Sequence, residues 1–156
     1  MGIESANFVY WPERTPSVGW GNVLLQQGAS PTAGASAFSQ YILKGDDYWI
    51  DFQIIPSEGN IPESVSVRIA LCNPDPAFER LLKFLRFLLN EGGGAVVDTH
   101  SGTKVCNLAS AAADKLRRSI SDQQQRFRTF FGSYRAPVPA EAVFEVMRQV
   151  MRQEAP

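Results

Sequence analysis

The one histidine of the chain lies in a polar segment, residues 98–104, whose side chains could carry acid–base chemistry. In an extended segment Asp98 and His100 point to the same side, so the carboxylate could orient the imidazole as a proton acceptor. Ser101 is the adjacent nucleophile, but it would face the other side and lacks a surrounding G-x-S-x-G pattern. A polar turn is the favoured interpretation, and a small hydrolase using Asp98 and His100 is kept as an alternative.

Other residues with reactive or ligating side chains are sparse. One His and one Asp supply two ligands, whereas protein zinc sites take three or four. Cys72 and Cys106 are far apart in the sequence and form no CxxC pair, which predicts two free, reduced thiols. The glycines at 92–94 follow a helical pattern and precede a strand pattern, the reverse of a phosphate-binding loop. We therefore expect no metal, no cofactor and no enzymatic activity.

Acidic and aromatic residues around a predicted hairpin indicate binding to a partner instead. The two acids at 46 and 47 lie in a turn, the acid at 51 falls on the polar side of the next strand, and the acid at 58 lies in the following loop. An aromatic anchor supplies contact area, while the acids accelerate encounter with a basic partner. The predicted partner-binding surface comprises Asp46, Asp47, Trp49, Asp51 and Glu58. The competing interpretation is that Trp49 is buried and the acids only solvate the hairpin.

Basic residues are concentrated in the second half of the chain. Residues 1–74 hold three basic and seven acidic residues, whereas residues 75–156 hold twelve basic and nine acidic residues. Arginines interleaved with phenylalanines on one predicted helix are typical of a nucleic-acid-binding surface. The arginines concerned are Arg117, Arg118, Arg126 and Arg128. The sequence pI of about 5.8 disfavours a nucleic-acid-binding domain, because such domains are usually basic. Nucleic-acid binding is therefore a further alternative and not the main prediction.

Length and composition are those of an ordinary globular domain. The chain has 156 residues, of which 44% are hydrophobic and 20% charged, with a net charge of -1. A domain of this size buries roughly 70% of its unfolded surface, so we predict one domain over residues 1–156, β-rich at 1–74 and helix-rich at 75–156. No apolar run approaches the about 18 residues that a membrane span needs, and the first residues do not resemble a secretion signal. The expected location is the cytoplasm, without membrane contact.

Period-two alternation predicts strands in the first half. The clearest are 64–72 and 48–55, which are joined by a loop and are expected to pair in antiparallel fashion. A third strand at 38–43 precedes the turn, and residues 7–11 and 22–26 are weaker candidates.

Helical spacing dominates the second half. Asp75 is expected to cap a helix that runs to the glycines at 92–94. Short strands at 95–98 and 103–105 separate it from a second helix, which runs from an Asn107 cap to about Phe131 with a break as an alternative in its polar middle. A last helix over 140–153 carries an apolar stripe at helical spacing: Val143, Val146, Met147, Val150 and Met151.

The predicted fold class is α+β, with an antiparallel sheet from the N-terminal half packed against about three helices from the C-terminal half. The expected function is a non-enzymatic protein-binding module, such as a cytoplasmic inhibitor or immunity protein that neutralises a basic toxin by direct binding. A homodimer is a further hypothesis, because Phe84, Phe87 and the last helix supply more apolar surface than a small sheet covers.

Overall fold

The computed structural model describes residues 5–32 and 39–131, together with Pro137 and Pro139. The helix predicted at 140–153 lies outside the described residues. Within them the elements are, in chain order, β1 Ser5–Trp11, α1 Trp20–Gln26, β2 Ser30–Pro31, β3 Ser39–Lys44, β4 Trp49–Ile55, β5 Ser64–Ala70, α2 Asp75–Gly92, β6 Ala95–Asp98, β7 Lys104–Val105 and α3 Ser110–Phe131.

The strands form one antiparallel sheet in the order β2-β3-β4-β5-β1-β6-β7. The first strand is therefore central, and it pairs with β5 on one side and β6 on the other. In the described part of the chain, each edge of the sheet is a strand of only two residues. The α+β fold with an antiparallel sheet is confirmed, and the two short strands predicted after the triple glycine extend this sheet.

One face of the sheet is apolar and lies under all three described helices. The ring of Trp20 in α1 meets Tyr10 edge-on, with 5.2 Å between ring centroids. Phe84 in α2 packs on Phe52 of β4, with centroids 4.7 Å apart. The hydroxyl of Ser119 in α3 donates a hydrogen bond to Asp98 of β6. Period-two alternation directs these strand residues to the helices, so the core lies between sheet and helices.

The opposite face, here called the open face, carries the alternate residues of the same strands. In the described part of the chain the helices make their sheet contacts on the core face, and the open-face side chains are mostly half-buried or exposed. The open face comprises Val9, Trp11, Ile42, Trp49, Asp51, Arg68 and Val97. The open face therefore carries apolar, charged and aromatic side chains, whereas the core face is mostly apolar.

Tyr10 joins the central strand to the end of α2. Its buried hydroxyl lies 2.8 Å from the Leu88 carbonyl oxygen and 2.9 Å from that of Gly93. Burial raises the pKa of Tyr10 to about 12. Gly92 packs so closely here that a Cβ atom would overlap the Tyr10 hydroxyl and the Trp20 ring. Because Gly93 has φ of 65°, the helix ends at the triple glycine as predicted.

The structure corrects two local predictions. Residues 22–26 are helical and not a strand: Trp20, Val23 and Leu24 are buried on one side of α1, the i, i+3, i+4 pattern that a short apolar run conceals. Asp75 does not cap α2, because the capping residue is Pro74, without a side-chain hydrogen bond. The Asp75 carboxylate instead accepts a hydrogen bond of 2.6 Å from Arg128.

Helix α3 differs from its prediction at its start and in its middle. It begins at Ser110, and the Asn107 side chain accepts a hydrogen bond from the Ala109 main-chain N–H just before it. The helix is continuous through its polar middle, where Ile120, Gln123 and Phe127 are buried on one face. Burial of this face keeps the helix intact despite the low apolar content around it.

The two cysteines are unpaired and lie in different environments. Cys72 is buried just after β5, and Cys106 is exposed just after β7. Burial raises the pKa of the Cys72 thiol to about 11, because the thiolate would lose its hydration.

Replacing Gly92 with Ala should lower the free energy of unfolding by about 2 kcal/mol, because the added methyl group overlaps Tyr10 and Trp20 in a close-packed core. Urea unfolding followed by circular dichroism measures the change. Asn90→Ala, on the exposed side of the same helix, is the matched control and should shift the value by less than about 0.5 kcal/mol. Equal midpoints for the two variants would contradict the packing at the end of α2.

The free energy of unfolding should decrease at alkaline pH. The unfolded Cys72 thiol titrates near 9.0 and the folded one near 11, so between these values only the folded state holds the proton. The contribution is complete below pH 9.0 and falls by roughly 1.4 kcal/mol per pH unit above it. Cys72→Ala should flatten the decline between pH 9.0 and 10.0, before Tyr10 begins to contribute. An unchanged slope in urea unfolding of this variant would show that the thiol does not titrate this way.

Candidate functional site

Two of the predicted site residues form the tip of the hairpin between β3 and β4. The Gly45 main-chain N–H donates to the Tyr48 carbonyl over 2.9 Å and closes the turn. Asp46 and Asp47, here called the hairpin tip, are exposed between them. The Tyr48 ring packs directly over Gly45. A Cβ atom on Gly45 would overlap this ring, so one side of the turn is tightly packed. The tip therefore presents two carboxylates to solvent on a rigid hairpin.

Trp49 and Asp51 lie side by side on the open face. The indole Nε1 donates a hydrogen bond of 3.3 Å to an Asp51 carboxylate oxygen. The ammonium group of Lys44, on the neighbouring strand, lies 5.0 Å from the centre of the Trp49 ring. The Lys44 cation over the indole and the Asp51 carboxylate at the indole N–H fix the orientation of the half-buried Trp49 side chain.

A groove of about 410 Å³ runs over strands β3, β4 and β5 on the open face. Asp51 and Arg68 are opposite one another in the register of β4 and β5, so the groove contains both signs of charge. Its lining, here called the sheet groove, includes Thr32, Ile42, Trp49, Asp51, Arg68 and Pro139. Trp49 and Asp51 thus both line a concave surface.

Glu58 is not brought to the other four residues. It lies in the loop after β4, where its main chain exchanges hydrogen bonds of 3.0 and 2.9 Å with that of Ile61. The hairpin tip lies at the other end of β4, and a seven-residue strand is about 20 Å long. The structure therefore places Trp49 and Asp51 together, the hairpin tip beside them, and Glu58 at the far end of the strand.

A second groove, between α2 and α3, was not foreseen from the sequence. It has a volume of about 840 Å³, and Asp47 of the hairpin tip lines it at one end. Tyr48 also faces this side, because the Arg80 guanidinium lies 4.6 Å from the centre of its ring. The hairpin tip therefore lies between two grooves, one on each side of the sheet. Contacts between such distant segments leave no periodic signal in the sequence.

The four arginines that would bind nucleic acid fall into two groups, two in ion pairs and two exposed on α3. Arg117 forms ion pairs with Glu79 at 3.3 Å and with Asp114 at 3.6 Å, and the hydrogen bond to Glu79 raises its pKa. Arg128 pairs with Asp75 at 2.6 Å. Two of the four cations therefore already neutralise carboxylates of this chain, which lowers the positive charge left for phosphate groups. Arg118 and Arg126 remain on the exposed side of α3.

Asp98 is fully buried and binds the turn that follows it. Its carboxylate accepts hydrogen bonds of 2.9 Å from the main-chain N–H of His100 and from the Ser101 hydroxyl. The Ser119 hydroxyl of α3 donates to the same carboxylate. These contacts involve the backbone of His100 and not its imidazole, and His100 is exposed. Asp98 thus links the β6–β7 turn to α3, as a structural hydrogen-bond acceptor.

Two further findings concern metals and membranes. Within residues 5–32 and 39–131, no group of three or more His, Cys, Asp or Glu side chains is close enough to hold a metal ion. In the same ranges no helix combines the length and the apolar character needed to cross a bilayer.

Asp98→Ala should lower the free energy of unfolding by about 3 kcal/mol, because two hydroxyls and one main-chain N–H lose a buried, charged acceptor. His100→Ala is the control and should change the value by less than about 0.5 kcal/mol, since its side chain is exposed. Thermal and urea unfolding of both variants provide the measurement. A His100→Ala variant as unstable as Asp98→Ala would show that the imidazole takes part in this network.

Comparison with models of protein families, with curated proteins and with solved structures finds no match for this chain.

Proposed function

We propose that this protein is a non-enzymatic protein-binding module whose partner contacts the hairpin tip and the sheet groove. The observation that supports this most is the placement of Trp49. Its ring is half-buried on the open face, held between Lys44 and Asp51, and it borders a groove. A rigid, partly exposed aromatic side chain in a concave surface binds with little loss of side-chain entropy, as in the anchor residues of protein interfaces.

The negative charge of the hairpin tip and of the first half of the chain supports a basic partner. The hairpin tip exposes two carboxylates, and residues 1–74 carry a net charge of -4. Exposed charges at the rim of an interface act mainly on the rate of encounter, while the buried anchor determines how long the complex lasts. Asp46 and Asp47 would therefore attract the partner, and Trp49 with Asp51 would retain it. Glu58 is left out of this surface because of its distance from the tip.

The more specific proposal is a cytoplasmic inhibitor or immunity protein that neutralises a basic toxin by covering it. Such a protein needs a stable surface and no catalytic group. This agrees with the use of Asp98 as a buried hydrogen-bond acceptor and with the ion pairs of Arg117 and Arg128. The first partner to test is the product of the neighbouring gene, because an inhibitor protects a cell only when both are made together.

Charge reversal at the hairpin tip, in the double variant Asp46→Lys with Asp47→Lys, should slow association with a basic partner about 10-fold at low salt and less at high salt. Stopped-flow or surface plasmon resonance measurements over a salt series give the rates. Glu58→Lys is the matched control, with the same change of charge per residue at the far end of β4. Equal slowing in both proteins, or none in either, would remove the hairpin tip from the binding surface.

Trp49→Ala should increase the dissociation rate of the same complex by about 30-fold, the effect of losing an anchor worth about 2 kcal/mol. Trp11→Ala, another aromatic of the open face that lies on a different strand, is the control. A dissociation rate unaffected by Trp49→Ala would contradict the proposal even if the charge reversals slow association.

The three remaining hypotheses are each tested by a different assay. A nucleic-acid binder would bind a labelled oligonucleotide at low salt and lose affinity steeply as salt rises. A hydrolase using Asp98 and His100 would lose turnover in His100→Ala. A homodimer would appear in light scattering, although Phe84 is already buried against Phe52 within one chain.

A further inference from the structure

The groove between α2 and α3, here called the helix groove, has the dimensions of a site for an extended peptide. Its volume is about 840 Å³. Its lining on α2 extends from Asp75 to Lys83, about 12 Å along the helix axis, and its lining on α3 extends from Arg117 to Arg128, about 16 Å. An extended chain advances roughly 3.3 Å per residue, so four or five residues of peptide span the helix groove.

The charge left in the helix groove after internal pairing is positive. The lining holds four basic and three acidic residues. Two ion pairs that join α3 to α2, Arg117 with Glu79 and Arg128 with Asp75, neutralise two residues of each sign. Two cations and one acid of the lining remain. They are Arg80, Lys83 and Asp47.

The two remaining cations lie one helical turn apart on α2. In the described part of the chain, neither Arg80 nor Lys83 has a carboxylate oxygen at ion-pair distance. The Arg80 guanidinium lies 4.6 Å from the centre of the Tyr48 ring and donates a hydrogen bond of 3.5 Å to the Tyr48 hydroxyl. A guanidinium has five N–H groups, so most of them are left for an incoming carboxylate. Tyr48 therefore positions a cation that can still bind an anion.

A small cavity of about 170 Å³ adjoins these cations. It shares Tyr48, Arg80 and Lys83 with the helix groove, and the rings of Phe84 and Phe87, with centroids 5.7 Å apart, form part of its wall. We call it the aromatic pocket. It is smaller than the roughly 300–1,000 Å³ of sites that enclose a whole small molecule, so it has room for a single apolar side chain.

We propose that the helix groove binds an acidic peptide segment of a partner protein. A carboxylate of the segment binds Arg80 and Lys83, and a neighbouring apolar side chain enters the aromatic pocket. The unpaired positive charge gives the electrostatic complementarity, and the pocket beside it gives the apolar contact. Asp47, at one end of the groove, repels a second carboxylate there and so restricts the position of the acid. This surface is separate from the one proposed above for a basic partner and does not rest on it.

Selection from a phage-displayed library of random heptapeptides on the full chain tests the ligand class. The enriched peptides are expected to contain Asp or Glu within two residues of Leu, Ile or Phe. The same selection on the double variant Arg80→Gln with Lys83→Gln should not enrich them. Failure to enrich acidic peptides on the natural protein, or equal enrichment on the variant, would overturn the proposal.

Isothermal titration calorimetry with one enriched peptide measures the role of the two cations. Arg80→Gln with Lys83→Gln should weaken binding about 10-fold at low salt, because charge-assisted hydrogen bonds to the carboxylate are lost. Lys104→Gln with Arg126→Gln is the matched control, since it removes the same charge from exposed positions outside the groove. The control should change the affinity less than about twofold. Equal weakening in both double variants would mean unspecific attraction and would contradict the site.

The aromatic pocket is tested with a changed peptide and with NMR shifts. Replacing the apolar residue of the enriched peptide with Ser should weaken binding about 5-fold, because that side chain is no longer buried. The original peptide should shift the amide signals of Arg80, Lys83 and Phe87 and leave those of Val9 and Val97, on the open face, unchanged. Undiminished binding of the Ser peptide, or shifts confined to the open face, would overturn the proposal.

Discussion

Alternation of side chains along the central strands is the constraint on which the rest of the structure depends. On β1, β4 and β5 every second residue is apolar and buried, so the helices must lie on that face. The same alternation presents the other residues, including Trp49 and Asp51, on the opposite face. The core and the candidate binding surface are therefore produced by one sequence pattern, and a shift of register by one residue would exchange them.

Strong local patterns made much of the fold predictable. Strands β4 and β5 follow from period-two alternation, helix α2 follows from helical spacing, and its end follows from three glycines. The strands β3 and β6 were placed from the turn before β4 and from the glycines after α2. Helix α1 was missed because a five-residue run with three apolar members fits a strand as well as a helical turn. Asp75 was misassigned because its partner, Arg128, lies 53 residues away, and a local capping rule does not include such a partner.

The candidate site was predictable in its composition more than in its geometry. Alternation alone puts Trp49 and Asp51 on one side of β4, and the length of β4 alone separates Glu58 from the hairpin tip. The groove between α2 and α3 and the pairing of Arg117 with Glu79 depend on how two helices dock, which the sequence does not specify locally. The structural role of Asp98 was also not predictable from local sequence, because its carboxylate accepts a hydrogen bond from Ser119, which is 21 residues further along the chain.

The central position of β1 has a consequence for how the protein is made. During synthesis β1 emerges before the other described elements, but its neighbours in the sheet begin only at Ser64 and Ala95. The apolar side of β1, with Phe8 and Tyr10, therefore has no strand beside it until β5 has been synthesised, and its second neighbour follows only with β6. Contacts between residues so far apart in the sequence form slowly, and until they form the apolar side of the central strand has no partner strand to protect it.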